Sequence, residues 1–344
     1  LQLIGNDPAY PIDGDYIQIQ DIDASATDTW NEGAGFAPLG SELVPFIGTY
    51  DGQSYYINDL SIARPTADAV GIFAYIGNAA VLKGMVVDGA STISGRWYVG
   101  ALVGSSGPLS TIEDCHSSAA VLGEIYVGGL VGANVSVMLG CSATGIILAD
   151  NTCGGLVGVN WNGPSGGGGP WGDLQDCWTA AAVFAAGNDA GGLVGLNDGG
   201  TVTRSSANGP VTSLLGNNIG GLVGANSGTV EECFATGGVG GLYQVGGLIG
   251  VNWQFSECLR SFATGDAEGE QFVGGLVGNN FYGLVQQCYA LGDATANAAA
   301  DASVGGLAGG CWGEIDECYS VGVPTGTGRN GGLVGYRHPA DGVV

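Results

Sequence analysis

The chain has 344 residues, 68 of them glycine, and its 32 acidic and 7 basic side chains give a formal net charge of −25. So few cations argue against binding nucleic acid through phosphate contacts and against electrostatic docking on anionic lipid. No run of 18 apolar residues occurs, so we expect no transmembrane helix and no membrane insertion. The acidity suits a secreted or cell-surface protein, or one from a salty medium.

The N-terminal part of the chain, residues 1–65, is irregular and rich in aromatic side chains. The end of a stack of repeats exposes strand edges and has to be covered. We therefore predict that residues 1–65 form an N-terminal β cap with lead-in strands, and that residues 66–344 form one repeat domain.

A five-residue phrase, GG[LI][VIA]G, recurs through this repeat domain. It begins at eight positions from Gly128 to Gly331, and a variant, GALVG, begins at Gly100; the spacings from Gly100 onward are 28, 26, 37, 29, 26, 28, 31 and 26 residues. Such periods are typical of solenoids, propellers and arrays, and propeller blades need about 40 residues. Short β-branched runs bounded by Gly, Asn, Asp and Ser indicate strands, not helices. The sequence predicts a single-stranded parallel β-solenoid, a right-handed β-helix of about ten coils of 26–31 residues.

The glycines of the phrase are predicted to be structural. Equivalent positions of a solenoid lie above one another, so a side chain that clashes in one coil clashes in each. We expect these glycines to allow positive φ and a close approach of neighbouring coils. Representative turn glycines are Gly128, Gly129, Gly132, Gly154, Gly155, Gly158, Gly220, Gly221 and Gly224.

An asparagine follows the phrase by two residues in most repeats. Stacked amides hydrogen-bond along the axis of cross-β structures and also satisfy the backbone of turns. We expect a ladder of Asn134, Asn160, Asn197, Asn226, Asn252 and Asn280, which Cys311 and Arg337 interrupt near the end.

A cysteine lies midway through most repeats, in phrases such as VEECFATGGV. The predicted cysteine ladder consists of Cys115, Cys141, Cys177, Cys233, Cys258, Cys288 and Cys318, with Ser205 in one cysteine position. Bridges between adjacent coils, such as Cys233 to Cys258, are sterically possible in an oxidising compartment. We favour free buried thiols, because neighbouring parallel strands seldom orient their Cβ atoms for a disulfide.

Two phrase halves, VGGLVGAN and ECFATG, resemble those of the GLUG-motif family of bacterial and archaeal surface proteins. The segment GTYDGQSYYINDLSIARPTADAVGIFAYIG, residues 48–77, is similar to the entry segment of such proteins. The resemblance extends over nearly the whole chain. It implies a secreted, adhesin-like protein without an assigned reaction.

Acidic residues recur just before the ladder cysteines and predict an acidic stripe along one corner. Stacked carboxylates repel by about 1 kcal/mol per close pair in water, and a divalent cation relieves this. The alternatives are a solvated stripe without metal and weak calcium binding at Glu231, Glu232, Glu257, Asp316 and Glu317. We expect no other cofactor.

Tryptophans are the candidate ligand contacts. Trp161, Trp253 and Trp312 each follow the asparagine position, and Trp171 lies in a glycine-rich insert, residues 162–173, which reads as a projecting loop. If exposed, the three corner tryptophans form an aromatic row suited to stacking on sugars. If buried, they pack the corner.

No residue pattern justifies a catalytic assignment. HExxH is absent, and the two histidines, His116 and His338, are far apart in the sequence. We therefore expect a non-enzymatic extracellular structural or adhesive protein, either a surface stalk or a fibre subunit. The alternative is a glycan-binding module, or a polysaccharide lyase or hydrolase, which needs paired carboxylates on one face.

The C-terminal end bears on the expected partners. Only YRHPADGVV follows the last GGLVG, too little to cap a coil. We expect further protein or a second subunit to stack there, and the second case gives a head-to-tail fibre. Other surface proteins and glycans are further candidate partners.

Overall fold

A computed structural model describes residues 1–162, 172–297 and 301–339. The protein is all-β, with 51% of its residues in strands and 3% in helix, and its parallel strands stack as a β-solenoid of about ten turns. This confirms the predicted fold class. One short 3₁₀ segment, Ser25–Gly33, lies near the N-terminus. No helix among the described residues is long and apolar enough to cross a membrane.

Each coil passes through four parallel sheets, which we number in chain order. Sheet 1 contains the strands Tyr16–Ile17, Thr49–Asp51, Val81–Lys83, Thr111–Glu113, Val137–Leu139, Asp173–Gln175, Thr201–Thr203, Thr229–Glu231, Glu257–Leu259, Leu284–Gln286 and Glu314–Asp316. Sheet 2 contains Ile22–Asp23, Tyr56–Asn58, Val86–Asp88, His116–Ser117, Ser142–Ala143, Trp178–Thr179, Ser206–Ala207, Phe234–Ala235, Phe262–Ala263, Tyr289–Ala290 and Tyr319–Ser320.

Sheets 3 and 4 complete the coil. Sheet 3 contains Ser61–Ala63, Thr92–Ser94, Trp97–Gly100, Ala120–Gly128, Ile146–Gly154, Ala182–Ala185, Ala190–Gly191, Val211–Ser213, Asn217–Gly220, Val239–Gly240, Tyr243–Gly246, Ala267–Gly269, Gln271–Gly274, Ala294–Ala296, Ser303–Gly305, Pro324–Thr325 and Arg329–Gly331. Sheet 4 contains Phe73–Ile76, Val103–Ser106, Val131–Asn134, Val157–Trp161, Val194–Asp198, Val223–Asn226, Ile249–Asn252, Val277–Asn280, Ala308–Cys311 and Val334–Arg337.

Short alternating strands build a continuous apolar interior. In the strand Val137–Leu139, for example, Met138 is buried while its two neighbours are half-buried. The register places like residues above one another, so that Met138 pairs with Ile112 on one side and Leu174 on the other. Leu and Val of the GGLVG phrase are fully buried in most coils, and they fill the interior beside sheet 4.

The phrase glycines lie where neighbouring coils touch. At each of the nine representative glycines, an added Cβ would come within 2.6 Å of a backbone atom; at Gly155, for instance, it would meet the carbonyl oxygen of Gly192 at 2.0 Å. The expected close approach is therefore present. The expected positive φ is wrong, because the left-handed residue lies two positions before the phrase, as at Tyr126 with φ 60° and Asn218 with φ 63°.

The N-terminal boundary differs from the prediction. Strands within residues 16–63, which the sequence assigns to the cap, already pair in register with later coils: Tyr16 with Tyr50 in sheet 1, Ile22 with Ile57 in sheet 2 and Ser61 with Thr92 in sheet 3. The solenoid therefore begins near residue 16, since its parallel pairing extends that far. Apolar side chains from the preceding and intervening segments, including Ile4 and Phe46, cover this end of the core.

Candidate functional site

The six asparagines form one amide chain through the interior. Each Nδ2 donates to the Oδ1 of the next asparagine at 2.8–3.1 Å, from Asn134 through Asn280, and all six side chains are fully buried. Ser106 donates to Asn134 at one end, and Asn280 donates to the carbonyl oxygen of Glu314 at the other. Cys311 pairs in register with Asn280, and Arg337 pairs with Cys311. The ladder is an internal structural feature, because no part of it reaches the surface.

The midway ladder contains both cysteine and serine. From Cys177 onward, each backbone N–H in the ladder donates to the side chain of the next coil: to Ser205, Cys233, Ser261, Cys288 and Cys318 in turn. These distances run from 3.0 to 3.4 Å. Cys115 and Cys141 occupy the same position in earlier coils, since the residues that follow them pair in register.

Cys258 does not belong to this ladder, which corrects the sequence alignment. It pairs with Val230 and Val285 in sheet 1, whereas Phe262 pairs with Phe234 and so places Ser261 in the ladder position. The turn from Asn252 to Cys258 is two residues longer than the equivalent turn from Asn226 to Val230, and the ladder position falls at Ser261, three residues after Cys258.

All nine cysteines are free thiols, so the pairing of Cys233 with Cys258 is not formed. Eight are buried, and Cys318, in the last coil, is half-buried. Burial raises the pKa of the Cys153 thiol and that of Cys233 to about 12. Thiols with such pKa values are weak nucleophiles at neutral pH, and their role is packing.

The acidic corner between sheets 1 and 2 also contains arginines. Arg204 makes a two-pronged contact with Asp176 at 2.8 and 2.9 Å, and Arg260 is paired with both Glu231 and Glu232. Arg204 and Arg260 occupy equivalent positions two coils apart, and Glu232 occupies that position in the coil between them. The charge of this surface therefore alternates in sign from one coil to the next. Arginine thus interrupts the predicted acidic stripe at these two coils.

The five candidate calcium ligands do not meet. Glu257 pairs with Thr229, at the opposite end of the sheet 1 strand from Glu231. Glu231, Leu259, Gln286 and Asp316 follow one another in register, which separates Glu231 from Asp316 by about 14 Å at 4.8 Å per coil. Asp316 and Glu317 accept instead from Gln286 and Gln287. Among the described residues no group of three or more His, Cys, Asp and Glu side chains is arranged to hold a metal ion.

The corner tryptophans form two separate clusters. Trp161 packs against Tyr98 and Tyr126 with ring centroids 5.9 and 5.8 Å apart. Trp253 packs edge-on against Phe281 of the next coil, and Trp312 contacts Phe272 and Phe281 of the preceding coil and Tyr336 of the next. Asp198, which pairs with Trp161, interrupts the column. The three tryptophans are thus corner packing with partial exposure, not one continuous row. Trp171 lies outside the described residues.

A second aromatic column, missed in the sequence, lies on the outer face of sheet 2. Phe234, Phe262, Tyr289 and Tyr319 stack with centroids 4.8–5.1 Å apart and planes within 6° of parallel. The residue that follows each ladder position forms this column, and in earlier coils it is His116, Ser142, Trp178 and Ser206. Reading that single position down the repeats would have revealed it.

Part of the chain is similar in sequence to one known protein. A segment of 147 residues, 42% of the chain, is 39% identical to halomucin of Haloquadratum walsbyi. The matched part is 2% of halomucin, so the chain spans a very small share of that protein's length. No family model matches the chain, and no solved structure matches it.

Proposed function

We propose that this chain is a non-enzymatic structural element of a secreted or cell-surface protein, a rigid spacer built by stacking coils. The observation that carries the proposal is the unbroken register of sheet 1, in which eleven strands pair in sequence from Tyr16–Ile17 to Glu314–Asp316. Ten steps of about 4.8 Å give an axial length of about 48 Å. The internal amide ladder runs along the same axis and resists sliding of one coil on the next.

Two further observations support an exterior location. The acidic composition suits a solvated surface, and the likeness to a segment of halomucin suggests that this kind of repeat serves as a short module in a very long chain. Assignment to the GLUG-motif family is part of the same proposal, and it rests on the repeated VGGLVGAN and ECFATG phrases. The acidic residues of the corner are paired with arginine or spread over several coils, which favours a role without catalysis.

End-to-end association is the proposed mode of assembly. In the last described coil, Leu333 and Val334 are half-exposed, whereas their counterparts Leu307 and Ala308 in the preceding coil are buried. Apolar side chains and strand edges at one end of a solenoid favour stacking on further parallel strands.

The location is tested by treating intact producing cells with proteinase K and probing the digest with an antibody against this chain. We expect degradation on intact cells, at the same rate as in a lysate. Protection until the cells are lysed would overturn the proposed exterior location.

The assembly is tested separately by small-angle scattering and negative-stain imaging of the purified chain. We expect rods whose lengths are multiples of about 48 Å as concentration rises. A single particle length at every concentration would overturn end-to-end association and leave the spacer role of one chain intact.

A further inference from the structure

The outer face of sheet 2 contains a trough at the N-terminal half of the solenoid. A cavity of about 440 Å³ lies there, with Tyr56 at one end and Trp178 at the other. Its floor is formed by Val86, His116 and Ser142, which lie in register between the two aromatic residues. Four coil steps of about 4.8 Å separate Tyr56 from Trp178, so the trough is about 19 Å long.

The trough exists because of the residues in one column. In later coils the same column is filled by the ring stack from Phe234 to Tyr319. Ser142 and Val86 are too small to continue such a stack, and they leave the face open.

Trp178 offers an aromatic surface to this space. Its side chain is 41% exposed, and its in-register neighbours are the small residues Ser142 and Ser206. Within the described part of the chain, no aromatic ring packs against its indole. A half-exposed indole without a ring partner is an available stacking surface.

Polar groups run along one side of the trough. Asp88, Ser118 and Thr144 line it, and Ser118 donates a hydrogen bond to Asp88. On the floor, His116 Nδ1 lies 2.7 Å from Ser142 Oγ. The trough thus joins an aromatic platform with a row of hydroxyl, carboxylate and imidazole groups, which together donate and accept hydrogen bonds.

We propose that this trough binds a short stretch of a neutral glycan, with one pyranose ring stacked on Trp178 and the hydroxyl groups of the neighbouring sugar rings hydrogen-bonded to Thr144, Ser118 and Asp88. The carboxylate of Asp88 and the net charge of −25 disfavour uronate-rich or sulfated glycans. A peptide strand is disfavoured because the sheet 2 strands that form the floor pair on both sides, which leaves no edge for strand addition. The site rests on its own geometry and does not depend on the spacer role.

The test uses isothermal titration calorimetry of the full chain with four neutral probes: cellotetraose, chitotetraose, mannotetraose and maltotetraose. We expect at least one probe to bind with a Kd at or below about 1 mM. Tetragalacturonic acid serves as the anionic probe and should bind more weakly than that neutral sugar.

Variants then locate the binding. Trp178→Ala should weaken the binding at least about tenfold, while Trp178→Phe should retain most of it because a ring face remains. Trp253→Ala is the matched control, since Trp253 is 36% exposed and lies just after a sheet 4 strand, away from the trough; it should leave the Kd unchanged. Far-UV circular dichroism and thermal melting show whether each variant is folded.

Three outcomes would overturn the proposal. The first is the absence of binding by all four neutral probes at millimolar concentration. The second is an equal Kd for Trp178→Ala and the unsubstituted protein. The third is a loss with Trp253→Ala but not with Trp178→Ala, which would place the sugar at the corner. None of these bears on the particle lengths that test the assembly.

Discussion

The glycines of one coil differ in how much space surrounds them, although all are the same residue. A Cβ at Gly221 would lie 2.1 Å from the carbonyl oxygen of Gly247, in the next coil, whereas a Cβ at Gly240 would meet no atom within 4 Å. The glycines of the repeated phrase in this coil are tight, as are Gly228 and Gly237 of the same coil, and none of the phrase glycines has a positive φ. Close approach of coils, not backbone flexibility, therefore accounts for the recurrence of the phrase.

Substitution Gly221→Ala should lower the free energy of unfolding by about 1–3 kcal/mol, because the neighbouring backbone has to move to admit the methyl group. The matched control, Gly240→Ala, should be neutral or stabilise by about 0.5 kcal/mol through the unfolded chain. Urea denaturation of the two variants measures both changes. Equal effects would show that the close approach at Gly221 does not matter.

Asp189 is a second residue whose surroundings determine its contribution to the stability of the fold. Burial raises the pKa of its carboxyl group above 3.8, although Asn218 donates a hydrogen bond to it at 2.7 Å. The pKa of this carboxyl group is higher in the folded state than in the unfolded state. The folded state therefore loses stability relative to the unfolded chain as pH rises from the unfolded pKa to the folded one. At pH 7 the folded state therefore bears the whole cost of the buried charge.

Substitution Asp189→Asn should raise the melting temperature at pH 7, since it removes this charge and asparagine also tolerates the left-handed backbone, φ 57°, at this position. The gain should shrink as pH falls through the folded pKa and below 3.8, because the carboxyl group is protonated in both states only below its unfolded pKa. Melting curves over this pH range measure it. Exposed Asp198→Asn is the control, and an equal gain there would contradict the assignment to burial.

At the scale of structural elements, the asparagine ladder joins six successive coils through side-chain hydrogen bonds. Asn226 Oδ1 accepts from Asn197 and from the backbone N–H of Gly228, and its Nδ2 donates to Asn252. The three asparagine side chains are fully buried, so their amide groups find no substitute partner when one amide is lost.

Substitution Asn226→Ala should lower the free energy of unfolding by about 2–4 kcal/mol, since buried groups lose partners and a cavity forms. Exposed Asn208→Ala, which removes a single surface bond to Thr236, should change it by less than about 0.5 kcal/mol. Chemical denaturation gives both values, and hydrogen exchange at Gly228 reports the local opening. A loss at Asn226 no larger than that at Asn208 would contradict a stabilising ladder.

The two kinds of cysteine position give a further matched pair. Cys233 lies in a ladder that already contains Ser205 and Ser261, so Cys233→Ser should change the free energy of unfolding by less than about 0.5 kcal/mol. Cys258 occupies the place of Val230 and Val285, so Cys258→Ser should cost about 1–3 kcal/mol through a poorly paired hydroxyl group. Thermal or urea denaturation compares them. A larger loss for Cys233→Ser would reverse the assignment of ladder and core.

These pairs also show how far the sequence alone leads. The repeat spacing predicts parallel stacking and the identity of ladder residues, because every coil reports the same position again. It misplaced Cys258, since two extra residues in one turn shift the cysteine phrase, while the following SFA, which matches CFA, keeps the register. It also missed the trough, because Trp178 is conspicuous only beside Ser142 and Ser206 of adjacent coils.

At the scale of the whole molecule, like charge is the dominant long-range force. The 32 acidic side chains exceed the 7 basic ones by 25, and the arginine pairs at the acidic corner neutralise only a few of them. Such an excess disfavours the compact state through self-repulsion, and dissolved salt screens it.

The melting temperature at pH 7 should therefore rise as sodium chloride increases to about 1 M, where the Debye length is about 3 Å. Near the isoelectric point, about pH 4.1, the rise should largely disappear because the net charge is close to zero. Differential scanning calorimetry at both pH values measures it. A melting temperature at pH 7 that does not respond to salt would contradict a dominant role for repulsion.

The direction of the backbone hydrogen bonds has a mechanical consequence. They join each coil to the next along the solenoid axis. A pull on the two ends therefore breaks the hydrogen bonds of one terminal coil at a time instead of those of all coils together. A coil of 28 residues that peels off supplies up to about 90–100 Å of extended chain in place of one 4.8 Å step. Under tension the molecule would lengthen in steps, because one coil unfolds at a time, and the coils would refold when the tension is released.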